Sequence, residues 1–158
     1  MIIQDRMAPK VDREFVLFLI GMRINKFHKI GKWLPIFASM PKMIRELEGQ
    51  KDLGLMHARF HPGLRNFFLV QYWESWDKLM TYAHDSDRNH RPAWTEFFKT
   101  VGTNGDVGIW HETYTVKPGQ VEAIYGNMPQ YGLGQAFDLV KAEGPMKSAA
   151  ERMAVDGS

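Results

Sequence analysis

Hydrophobic and polar positions divide the chain into four apolar runs with two helical stretches set between them. Residues 15–25 (FVLFLIGMRIN) are apolar at almost every position as far as Met22, which predicts a central strand buried on both faces, with Arg23 and Asn25 on one face at its exit. Residues 53–61 (LGLMHARFH) alternate with a period of two, and Pro62-Gly63 supplies a turn into residues 67–73, an aromatic and aliphatic run broken only by Gln71. Val107–Val116 is the fourth predicted strand. Alternation puts Val107, Ile109, His111 and Thr113 on one of its faces and Trp110, Glu112 and Tyr114 on the other.

The helical stretches carry recognisable start and stop signals. Residues 26–50 are predicted to be helical in two pieces, because Pro35 and Pro41 each remove a donor and crowd the preceding turn. Ser39 would cap the second piece, Met43, Ile44 and Leu47 would give it a buried face, and Gly49 would end it. The second helix is predicted to open at Trp76 with Ser75 or Asp77 as N-cap. It carries Trp76, Leu79, Met80 and Ala83 on one stripe, breaks near residues 85–89, and ends at Gly102, Asn104 and Gly105.

The order β-α-β-β-α-β is the ferredoxin-like pattern: an α+β fold with two helices on one face of a four-stranded antiparallel sheet. The opposite face is also apolar and must be covered. A second copy of the chain, making a homodimer, is the economical cover; the terminal segments are the alternative. The expected organisation is an N-terminal arm (1–14), one domain (15–137) and a C-terminal tail (138–158) with a helical turn or two. Residues 121–125 are read as a short fifth strand, and the Gly-rich, aromatic stretch 126–137 as a loop that packs over something.

Composition narrows the function classes. The chain has 158 residues, enough for one sizeable core, and a net charge of +2 with dispersed basic residues, which speaks against a nucleic-acid partner. Without cysteine it has no disulfide, thiolate metal site or Cys nucleophile, consistent with a cytoplasmic location. Phe15–Met22 is too short to span a membrane, and no signal peptide is evident. Ten Phe, five Trp, five Tyr and ten Met suit either a dense core or an apolar ligand pocket.

QYWESWDKLMTYAHDSDRNHRPAW followed by GDVGIWHETYTVKPGQVEAIYGNMP, with FLIGMRIN and KWLP…MPKMIRELE upstream, resembles a family of small monooxygenase-like proteins with a dimeric α+β barrel fold. The family includes fungal proteins that accompany polyketide pathways. The resemblance runs over residues 15–134 and implies a pocket between sheet and helices. Related barrels include cofactor-free quinol monooxygenases, haem-degrading enzymes and haem-dependent aldoxime dehydratases. In haem-handling members a histidine of the second helix region binds iron, which here implies His84 or His90.

Several residues could carry chemistry. His90 precedes Arg91-Pro92 at the restart of the second helix, where it reads either as a capping histidine or as an iron ligand and metal site for haem b. Arg23 would meet a propionate and Trp94 would wall the slot. In a cofactor-free route His111 or Glu112 would be the base, with Asn25 or Trp94 fixing the resulting anion. Each also has a purely structural reading. His57 and His61 share a strand face but are too spread to chelate zinc. The function expected is a monooxygenase-like oxidoreductase acting on a small apolar or aromatic substrate. An aldoxime-dehydratase-like lyase and a binding protein for an apolar ligand are the alternatives.

Overall fold

A computed structural model describes residues 1–84 and 104–154, apart from the side chains of residues 39, 40, 42, 43, 46, 47 and 51. The main sheet holds β2 (Phe15–Ile24), β3 (Leu55–His61), β4 (Asn66–Trp73) and β5 (Val107–Val116), in the order β3-β4-β2-β5 and antiparallel throughout. Between them run α1 (Ile30–Gly49) and α2 (Trp76–His84). This is the ferredoxin-like arrangement that the apolar pattern predicts. The doubly apolar strand β2 lies at its centre, where both edges are paired and both faces can be covered.

The prolines do not divide α1. It is one helix with Pro35 and Pro41 inside it, against the expectation of two pieces. Both prolines are exposed, so the carbonyls that lose their N–H partners lie near the solvent side of the helix, where water can serve them. Trp33, Ile36 and Phe37 meanwhile anchor the helix to the sheet. The cap of α2 is Ser75, whose Oγ accepts from Lys78 N at 3.2 Å. The buried side of α2 is Leu79 and Tyr82, while Trp76 is 48% exposed, so the stripe lies one step around from the predicted one.

Even-numbered residues of β2 face the helices, and they do so in two separate clusters. Val16 and Trp73 pack with Leu79 and Tyr82 of α2. Met22, Ile24 and Val107 pack with Trp33, Ile36 and Phe37 of α1. Full burial of Trp73, Met22, Ile24 and Val16 stabilises the fold by about 1.5–3 kcal/mol for each side chain.

Odd-numbered residues of β2 face the other way. One end of this far face is covered by the chain itself: Leu133 and Phe137 pack on Phe15, with Leu17, Tyr72 and Val116 around them. These two come from the stretch read as a packing loop, which contains a helical turn, α3 (Leu133–Ala136). Residues 121–125 do not form the expected fifth strand. Tyr125 instead makes an isolated bridge to Met7, because the N-terminal arm reaches it first. The arm continues as β1 (Met7–Pro9), paired antiparallel with β6 (Leu139–Lys141), so the two terminal segments hold each other. A last helix, α4 (Ala149–Ala154), is pinned by buried Arg152, which is ion-paired with Glu122 and donates to the carbonyls of Met146 and Lys147.

The rest of the far face is an aromatic row across all four strands. His61 stacks on Phe68 at 4.8 Å, and Phe68 meets Trp110 across Gly21. Gly21 leaves the space that the Trp110 indole occupies. A Cβ there would come within 2.7 Å of its Nε1 and 2.8 Å of the Phe67 carbonyl oxygen. Gly21→Ala is therefore expected to cost about 1–3 kcal/mol of stability through overpacking. Urea denaturation followed by tryptophan fluorescence measures it; an unchanged midpoint would mean that the row yields freely.

Candidate active site

Among the described residues the two helix-side clusters are separate. Between them lie two rows of the sheet. One row holds Thr113, Phe18, Gln71 and Ala58; the next holds His111, Ile20, Leu69 and Phe60. Phe18 and Ile20 are the middle residues of the central strand. Both are only half-buried. Phe18 packs against the α2 cluster, Leu69 and Gln71 are buried, and Phe60 is half-buried, while His111 is exposed on the outer strand with its ring 6.0 Å from that of Phe18.

One buried polar side chain stands in this apolar surface. Gln71 Oε1 accepts the indole N–H of Trp73 at 2.8 Å. An indole nitrogen only donates, so the amide oxygen must face it and the amide nitrogen must point elsewhere. Sequence reading passed over this pair, although a lone glutamine in an otherwise apolar strand was the available signal.

The predicted site residues are distributed over different surfaces. His111 lies on the helix side. Glu112 lies on the far side, exposed, and accepts a hydrogen bond from the Tyr114 hydroxyl at 2.7 Å. Arg23 also lies on the far side, donating to Asn66 Oδ1 at 3.1 Å. Asn25, just past the end of β2, donates to the Gly105 carbonyl at 3.1 Å. The structure therefore does not bring His111, Glu112 and Asn25 together. His90 and Trp94 lie outside the described residues. His84 ends α2 and is exposed. Among the described residues, no group of three or more His, Asp or Glu is arranged to hold a metal ion.

His57 and His61 also face away from the helices. His57 stacks on Tyr72 at 6.4 Å and its Nε2 is buried without a hydrogen-bond partner. Burial, then the neighbouring Arg59 charge, hold this imidazole below its ordinary range, which keeps it neutral and explains how it tolerates the site. Burial beside Tyr125 and Tyr131 pushes the Tyr72 phenol up to about 12. This corner is a packed contact between the sheet and α3.

The exit of β2 is fixed by an electrostatic clasp. The Asp106 carbonyl accepts from the backbone N–H groups of Asn25 and Lys26, and its carboxylate takes the Lys26 ammonium at 2.7 Å. The clasp ties the exit of β2 to the entry of β5, and so sets where His111 stands relative to Ile20. The Lys26 contact holds the Asp106 carboxyl below the usual carboxylate range. A carboxyl that is more acidic in the fold than in the unfolded chain stabilises fully above its unfolded pKa, and that contribution is lost as pH falls through the lowered native value. Asp106→Asn should lower stability at neutral pH and flatten the acid limb of the stability profile. Urea midpoints taken from neutral pH down to strongly acidic pH test this; parallel profiles for the two proteins would refute it.

Comparison with known proteins agrees with this architecture. The profile of the family described as monooxygenase af470-like matches residues 15–133. No curated protein sequence matches the chain. Among solved structures, an aldoxime dehydratase is similar, at 18% identity and a TM-score of 0.56, over 64% of this chain and 32% of that one. The chain thus spans about a third of the length of that relative. SnoaB, a cofactor-independent oxygenase from Streptomyces nogalater, is 9% identical with a TM-score of 0.48, over 66% of this chain and 94% of that one. A dimeric ferredoxin-like protein from an uncultured marine organism is 12% identical with a TM-score of 0.45, over 68% and 91% of the two chains. At these identities the likeness is one of fold.

Proposed function

The chain belongs to the monooxygenase af470-like family, and from that premise we propose that it is an oxidoreductase of the monooxygenase kind, acting on a small apolar, aromatic substrate in the gap between sheet and helices. The observation that carries this reading is the exposed His111 imidazole on the helix side of the sheet, beside the half-buried Phe18 ring. An aromatic guest would be sandwiched on Phe18, Ile20 and Phe60 and desolvated there. Its acidic O–H would lie near the imidazole.

In the cofactor-free route His111 accepts that proton and leaves an electron-rich anion. Molecular oxygen is the oxidant. A CH2 conjugated with the phenolate becomes a carbonyl, one oxygen atom enters the product, and the other leaves as water with the two hydrogens of the CH2. The substrate supplies all four electrons, so no external reductant enters. The far-side residues Glu112 and Arg23 take no part.

The described residues fit haem less well. Arg23, the cation proposed for a propionate, points to the far face. Lys26 is held by Asp106, while Arg65 lies over the Phe27 ring and donates to the Ile24 and Asn25 carbonyls. No step is therefore routed through haem.

The proposed assembly is a homodimer built on the uncovered part of the far face. Leu19, Phe68, Val70 and Trp110 are half-buried there, and the terminal segments cover only the other end. No described helix is long and apolar enough to cross a membrane.

Oxygen uptake with phenolic and quinol substrates tests the reaction. His111→Ala is expected to lower kcat by about 100-fold or more, the usual contribution of a general base. Uptake unaffected by that substitution overturns the assignment. A Soret band that forms on adding haem and vanishes in His90→Ala would replace the cofactor-free route with the haem-dependent one. Light scattering tests the dimer: Val70→Lys should halve the mass, and a wild-type protein that is already monomeric refutes the interface.

A further inference from the structure

Basic residues that are scattered along the chain come together at one end of the fold. Arg23 lies at the exit of β2, Lys26 and Lys29 in the connection to α1, Lys32 in the first turn of α1, and Arg65 in the turn between β3 and β4. Residues 23–34 and 61–66 contain no Asp or Glu. The carboxylate beside them is Asp106, which is buried and already committed to Lys26 at 2.7 Å. Five cations against one buried anion make a local surplus in a chain whose net charge is only +2.

Large apolar side chains stand exposed among these charges: Phe27 is 39%, Ile30 54% and Leu64 87% exposed. All three sit on a pinned frame. The Arg65 guanidinium lies 4.8 Å from the centroid of the Phe27 ring and donates to the Ile24 and Asn25 carbonyls, so the β3–β4 turn is clipped onto the exit of β2. The Trp33 indole N–H donates to the Phe27 carbonyl at 3.1 Å, which ties the same connection to α1. A Cβ on Gly63 would strike the Asn66 carbonyl, so the turn closes tightly and carries Leu64 at its tip. Three large apolar side chains at one end of a domain, set among cations, form a patch and not the isolated exposures that any surface carries.

We propose that this end of the molecule docks on an anionic membrane surface, with Leu64, Phe27 and Ile30 entering the headgroup region and the surrounding cations meeting lipid phosphates and carboxylates. Cations alone would suit any polyanion. A leucine and an isoleucine have no π-face for a nucleic-acid base to stack on, but they gain directly from the boundary between headgroups and acyl chains. The protein then lies on the bilayer without spanning it, a mode that needs no long apolar helix. Docking of this kind does not depend on the reaction proposed above.

Vesicle flotation of the full chain tests it. Vesicles of phosphatidylcholine and phosphatidylserine in equal parts should carry the protein, and phosphatidylcholine alone should carry much less. The bound fraction should fall steeply with added salt, because the attraction between exposed charges is screened. Lys29→Gln should weaken partition about fivefold, the worth of one cation near an anionic surface. Leu64→Ser should weaken it about tenfold, the low end of the gain from burying a leucine. Since Leu64 is almost wholly exposed, its substitution should leave the urea midpoint unchanged.

A wild type that floats with neither kind of vesicle, or equally with both, overturns the proposal. So does a Leu64→Ser protein that holds the mixed vesicles as tightly as the wild type and is competed away by polyuridylate, since the surface would then be a nucleic-acid site. Light scattering without lipid gives the last check. A lower mass for Leu64→Ser than for the wild type would make the patch a contact between copies of the chain, and would also overturn the membrane assignment.

Discussion

Everything in this molecule depends on a central strand that is apolar on both sides. β2 cannot lie at a sheet edge or face water, so it must be flanked by β4 and β5 and covered twice. The cover on the helix side comes from two elements that anchor at opposite ends of the strand: α2 on Val16 and α1 on Met22 and Ile24. Among the described residues each helix buries its own cluster, with Phe18 packed against that of α2 and Ile20 between the two.

The two faces of the sheet divide the polar residues as well. Glu112, Arg23, Arg59, His57 and His61 all lie on the far face, where they meet Tyr114, Asn66, Tyr131, Tyr72 and Phe68. Those contacts are local and structural. On the helix side the described sheet offers His111, Gln71, Thr113 and Thr115, a sparse polar set in an apolar surround. The Lys26–Asp106 clasp shows the same economy, since one carboxylate and one carbonyl join the two strands whose relative position matters most to His111.

Much of this was legible in the chain. The strands follow from runs and alternation, the Ser75 cap from its chemistry, and the face of His111 from period-two counting. What was not legible falls into two kinds. Pro35 and Pro41 stay inside α1 because they lie on its exposed side, and only the three-dimensional packing reveals which side that is. The far face is shared between the terminal segments and open surface, because the arm pairs with residues far along the chain, at Tyr125 and in β6. Sequence distance hides such pairings. The Gln71–Trp73 bond was hidden for a simpler reason: residues two apart on a strand face the same way, yet alternation alone gives no hint that one of them will fix the other's amide.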